Sequence, residues 1–169
     1  DRLAMGSTFE RVLRKAHCAV LAVHEPARDF VRPASAEDPV GLRRILWATD
    51  FSDNSPRALE FALSLALEYQ AELTLVHVLE GGGNAGEERQ ALERLEGAIP
   101  DDARSRVRAV PRVLAGRPYQ QIVEEAERAQ ADLIVMGVRG RNIVNVAVFG
   151  STTYRVVQMG PCPVLTVRT

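Results

Sequence analysis

The sequence is poor in cysteine and aromatic residues, carries no surplus of either charge, and has no long apolar run. Cys18 and Cys162 are the only cysteines in 169 residues, which rules out a disulfide framework, and both read as small buried hydrophobes at a loop-to-strand junction. The three histidines, His17, His24 and His77, have no histidine or cysteine partner at metal-ligand spacing, and His77 reads as a packing residue at a strand end. Basic and acidic residues number 21 and 22, interspersed, for a formal net charge of -1. No one-sign field exists to gather nucleic acid or an anionic membrane, so neither partner is expected. With no basic-then-apolar leader and no apolar stretch of about 18 residues, a cytoplasmic location is expected. A G-x4-G-K-[ST] segment and a Ser-His-Asp grouping are also missing, which argues against a dedicated catalyst.

What is present is a chain with 46% apolar residues, enough for one sizeable core and an extra piece. The extra piece shows itself as a repeat. GSTFERVLRKAHCAVLAVH, from Gly6, aligns without gaps on GSTTYRVVQMGPCPVLTVR, from Gly150, at an offset of 144 residues. Identities include the Gly-Ser-Thr opening, Arg11/Arg155, Val12/Val156, Cys18/Cys162, Val20/Val164, Leu21/Leu165 and Val23/Val167. Residues 1–24 therefore read as the last helix and strand of a preceding domain, 25–41 as a linker carrying Pro26, Pro33 and Pro39, and 42–169 as a complete second copy. The alternative is an N-terminal arm that shares only helix-strand grammar with the C-terminus.

Within the complete copy, apolar strand segments at Ile45–Ala48, Leu73–Val78, Arg106–Leu114 and Leu133–Met136 alternate with helical periodicity over Ser55–Gln70, Glu87–Gly97 and Ile122–Ala129. Gly81–Gly86 reads as a shapeless surface loop without a strong helix cap. This alternation predicts an α/β fold, a parallel sheet with right-handed crossovers whose ligand site lies beyond the strand C-termini, near Asp50, Val78 and Met136-Gly137.

Gly137-Val138-Arg139-Gly140 follows the fourth strand, then come residues 141–149, then Gly150-Ser151-Thr152-Thr153 opening the last helix. Glycines permit close backbone approach, and a helix N-terminus offers free amides and a favourable dipole to anions. The joint pattern G-x2-G-x9-G-[ST], with Thr49-Asp50-Phe51-Ser52, the His77-Val78 strand end, Met136-Gly137 and Pro161-Cys162-Pro163-Val164, resembles the universal stress protein family from Arg43 to Thr169.

The resemblance implies a three-layer open sheet of five parallel strands with helices on both faces, and an ATP site in members that keep the glycines. Carried over, Thr49 and Asp50 lie by the ribose and the metal-phosphate side, with Asp50 reaching Mg2+ indirectly through Mg-ATP, and Ala48 before them belongs to the same cofactor-binding set. Val78 meets the adenine, and Met136 and Gly137 line the nucleoside. Gly140, Arg141, Gly150, Ser151, Thr152 and Thr153 surround the phosphates. Arg139 and Arg141 either pair with phosphates or are solvated loop residues. Val138 and Ala48 depart from residue types common in the family, at the expense of a polar contact.

The expected function is a nucleotide-dependent regulatory module of a stress response, at most a weak ATPase. A slow ATPase or nucleotidyl-transfer enzyme and a dimerisation module with a vestigial pocket are the alternatives. The resemblance also implies a homodimer or pseudo-dimer through the last strand, with Ala19–Val23 expected to pair antiparallel with Val164–Val167.

Overall fold

A computed structural model describes residues 7–24, 41–53, 55–138 and 150–168. The elements run α1 (Ser7–Lys15), β1 (Val20–Ala22), β2 (Arg44–Thr49), α2 (Ser55–Tyr69), β3 (Glu72–Leu79), α3 (Ala85–Ala98), α4 (Asp101–Arg104), β4 (Ala109–Ala115), α5 (Pro118–Arg128), β5 (Leu133–Val138), α6 (Ser151–Met159) and β6 (Val164–Arg168). They build one six-stranded sheet in the order β1-β6-β5-β2-β3-β4. Five strands are mutually parallel, as βαβ connections require, and β1 joins antiparallel beside β6. The five parallel strands expected are present, and β1 extends the sheet to six.

Side chains alternate across the pleat, which sorts the core into two layers. Ile45, Trp47, Leu73, Leu75, Leu133 and Val135 face one apolar cluster, which also takes residues of α2 and α3. Leu46, Ala48, Val76, Ile134 and Met136 face the other, with Ile122 and Ala126 of α5 and Val156 and Val157 of α6. Both faces of the central strands are covered, which accounts for their near-continuous apolar sequence.

Local chemistry departs from the sequence reading in two places. Asn84 caps α3: its side chain accepts from the Gly86 and Glu87 amides at 2.9 and 3.1 Å, while Glu87 accepts from the Asn84 amide at 2.9 Å. This reciprocal capping box corrects the expectation of a loop without a strong cap and starts the helix earlier. Downstream, Pro100 opens the one-turn helix α4, and the Arg106 and Val107 amides both bond Ala103 O at 3.0 Å. That turn holds Arg106 and Val107 out of the sheet, so β4 begins at Ala109.

The repeated segments adopt matching structures. Both α1 and α6 are nine-residue helices, placed at the offset of the sequence repeat. Each ends in the same backbone bond, Ala16 N to Val12 O at 2.9 Å and Gly160 N to Val156 O at 2.7 Å. The expected antiparallel pairing forms within the chain over Val20–Ala22, with Val20 opposite Thr166, Leu21 opposite Leu165 and Ala22 opposite Val164. Thr166 Oγ1 adds a bond to Val20 O at 3.2 Å, and Arg168 Nη2 reaches Leu13 O at 3.1 Å near the end of α1.

Candidate functional site

Strand order reverses at β2, which lies between β3 and β5. Connections leaving β2 and β5 therefore diverge, opening a crevice at their carboxyl ends. At the β2 end, Thr49 Oγ1 accepts from the Phe51 amide at 2.9 Å, and Asp50 Oδ1 accepts from the Ser52 amide at 2.9 Å and from Ser55 Oγ at 3.3 Å. One Asp50 oxygen is thus engaged at the start of α2. Phe51 takes a positive φ of 59°, a costly conformation for a bulky residue and one that concentrates at functional turns. Its ring meets His77, centroids 4.3 Å apart, and Arg94 from α3 covers it at 3.9 Å. His77 Nδ1 lies 2.9 Å from Thr49 O, so His77 ties β3 to the β2 turn as well as packing at the strand end.

On the α5/α6 side of the same sheet end is a cleft of about 430 Å³, lined by Glu80, Gly81, Gly116, Arg117, Pro118, Tyr119, Ser151, Thr152 and Arg155. Its walls come from the β3 and β4 ends and the first turns of α5 and α6. Gly116 holds φ 135°, a conformation closed to other residues, and so turns the chain from β4 into α5. In α6 the first intrahelical amide is that of Tyr154, bonded to Gly150 O at 3.1 Å; the amides of Ser151, Thr152 and Thr153 precede it and are the orphan donors of a helix start. Arg155 reaches across to Tyr119, with Cζ 4.6 Å from the ring centroid. Among the described residues the cleft thus combines hydroxyls, helix-start amides, two arginines, one carboxylate and an aromatic face. Its volume falls within the range of about 300–1,000 Å³ for small-molecule sites.

Of the residues expected to bind nucleotide, Ser151 and Thr152 line the cleft. Ala48 and Met136 are buried in the apolar cluster on that side, and Val78 and Tyr119 pack against it. Gly150 precedes α6 as its N-cap, and Thr153 is buried in the first turn. Gly137 sits in β5 opposite Val167. Thr49 and Asp50 occupy the β2 end and are not among the cleft-lining residues. Arg139, Gly140 and Arg141 lie outside the described residues.

The sequence reading missed Glu80, Arg117, Tyr119 and Arg155 as lining residues, and it dismissed Gly81 as loop. The sequence holds a signal for some of them, since Gly116 and Pro118 are residue types that punctuate a strand-to-helix turn. Among the described residues no three His, Cys, Asp or Glu side chains cluster as a metal site, and no helix is long and apolar enough to cross a membrane.

A sequence model of the universal stress protein family matches residues 41–168. The chain belongs to the universal stress protein family. It is 39% identical over 136 residues to a universal stress protein of Thermus aquaticus, covering 75% of this chain and 99% of that one. A universal stress protein of Archaeoglobus fulgidus superposes with a TM-score of 0.74 at 26% identity, covering 99% of this chain and 57% of its own. The chain therefore spans little more than half of that longer relative. A further A. fulgidus universal stress protein, solved in complex with dAMP, matches with a TM-score of 0.60 at 27% identity over 74% of this chain and 97% of its own.

Proposed function

We propose that this universal stress domain binds an adenine nucleotide, ATP with Mg2+, in the cleft between the first turns of α5 and α6, and acts as a cytoplasmic nucleotide-dependent regulatory module in a stress response. The observation that carries the reading is the cleft itself, whose positive side chains and helix-start amides suit phosphates while Ala48, Val78 and Met136 pack in the apolar layer on the same side. The dAMP complex of the related A. fulgidus protein supports the adenine assignment.

ATP fits the donors present. Ser151 and Thr152 would hold phosphate oxygens; Arg139, Gly140 and Arg141, assigned to the phosphates by the family resemblance, lie outside the described residues. Mg2+, when bound, neutralises phosphate charge; with no carboxylate cluster among the described residues to hold it alone, it would arrive on the phosphates, with Asp50 at most reaching its water shell. Binding rather than fast turnover is the proposed output, with a weak ATPase activity at most. Residues 1–24 are read as the closing helix and strand of a preceding universal stress domain, 25–41 as the linker, and β1 as the strand through which two such domains pair. The matching helices, the shared terminal bond and the symmetric strand register support that reading.

The test is mass spectrometry of small molecules released on denaturing the purified protein, followed by titration of the protein and its Gly140→Val and Asp50→Ala variants with Mg-ATP. An adenine nucleotide should be released or bound, and Gly140→Val should lose affinity. Failure of adenosine, AMP, ADP and ATP alike to bind would overturn the proposal.

A further inference from the structure

Arg117 and Arg155 enter the cleft from different helices, one preceding the first turn of α5 and the other inside α6. Among the described residues neither has a carboxylate partner, whereas Arg104, Arg108, Arg112 and Arg128 are each held in an ion pair. Arg155 rests on the face of Tyr119 instead. Such a cation–π contact is weaker than a charge-assisted bond from guanidinium to phosphate, so a phosphate can draw the group off the ring. Among the described residues Glu80 is the only acidic one of the lining, which leaves two arginines there against one carboxylate. An anionic ligand end is favoured beside the arginines, and hydroxyl or amine donors beside Glu80.

We propose that Arg117 and Arg155 read the phosphate chain of the bound nucleotide, with Tyr119 positioning Arg155 over the cleft, so that affinity rises with phosphate number. This rests on the nucleotide-binding reading above and adds to it two phosphate-contacting residues and one positioning residue outside the glycine loop. The guanidinium fork makes directional paired bonds that a lysine ammonium cannot copy, so Arg155→Lys should recover only part of the effect.

The test is isothermal titration of the full chain with adenosine, AMP, ADP and ATP, using the parent and the Arg117→Ala, Arg155→Ala, Arg155→Lys and Tyr119→Leu variants, with folding checked by circular dichroism. Each alanine variant should bind ATP roughly tenfold to a hundredfold more weakly, the range of a charge-assisted hydrogen bond, and adenosine unchanged. Tyr119→Leu should lower the ratio of ATP to adenosine affinity, whereas loss of mere packing would weaken both ligands equally. The inference is overturned if the parent binds ATP and either alanine variant stays within about twofold of it, less than the smallest net hydrogen-bond contribution expected here. It also falls if adenosine binding drops as far as ATP binding. A parent that binds none of the four ligands would instead remove the nucleotide reading itself.

Discussion

Adding one methyl group at Gly160 should lower the stability of the domain by about 1–2 kcal/mol. A Cβ built there comes 2.7 Å from Val156 O, with Ile134 Cδ1 at 3.4 Å and Val164 Cγ2 at 3.5 Å. The oxygen cannot easily retreat, since it accepts the Gly160 amide at 2.7 Å, and the two side chains belong to buried residues of β5 and β6. Overpacking of this kind costs about 1–3 kcal/mol. Glycine removal returns about 0.4–1 kcal/mol by restricting the unfolded chain. For a chain of this size the difference amounts to a melting point lowered by roughly 2–8 °C. Urea unfolding of Gly160→Ala beside the parent measures it, read as a shifted midpoint at constant slope. Ala16 fills the corresponding place after α1 and donates to Val12 O at 2.9 Å, so alanine can close such a helix where the approach is looser. Equal midpoints for variant and parent would show that α6 relaxes in the same way, and would refute the steric argument.

Asn84→Ala removes the acceptor for two amides at the start of α3 and should cost about 0.5–2 kcal/mol in urea unfolding, with nucleotide affinity unaltered. Gly116→Ala forces a side chain into φ 135° with its Cβ 3.4 Å from Gln121 Cγ; a loss of about 1–3 kcal/mol is expected, together with weaker nucleotide binding by titration, since the β4–α5 turn shapes the cleft. Thr166→Val deletes the bond to Val20 O, and should cost about 0.5–1.5 kcal/mol, read as faster amide exchange in Val20–Ala22 than in β2.

Much of the fold was legible because the information was local. Ile45–Ala48, Leu73–Val78 and Leu133–Met136 carry the apolar run of strands covered on both faces, and Ser55-Pro56 states a helix start. Helix α4 was not legible, since Asp101–Arg104 is too short to display a period. The start of α3 was missed because the Asn84 cap sits directly after three glycines, whose composition masked it. At the site, the spacing of Gly137, Gly140 and Gly150 gave an expectation of phosphate chemistry, and Ser151 and Thr152 are found on the cleft wall. Arg117, Tyr119 and Arg155 could not be found in this way. The rotation of α5 against α6 decides that they meet, and this is a long-range packing outcome. Asp50 shows the converse: a residue assigned to the ligand by resemblance also accepts hydrogen bonds at the start of α2, so Asp50→Ala would disturb folding and binding together.

The register between β1 and β6 sets Leu21 against Leu165, two residues that hold the same place in their respective segments. Exchanging the two strands leaves the ladder unchanged, with this pair on the exchange axis. A change carried into both segments, as gene conversion between duplicated stretches would do, therefore faces itself at this rung and faces a different neighbour at the rungs on either side. A charge introduced here would meet its own sign at cross-strand distance. A change shared by both segments is therefore tolerated at that rung only if the side chain is compatible with itself, whereas at the flanking rungs Val20 faces Thr166 and Ala22 faces Val164, unlike residues that can complement one another.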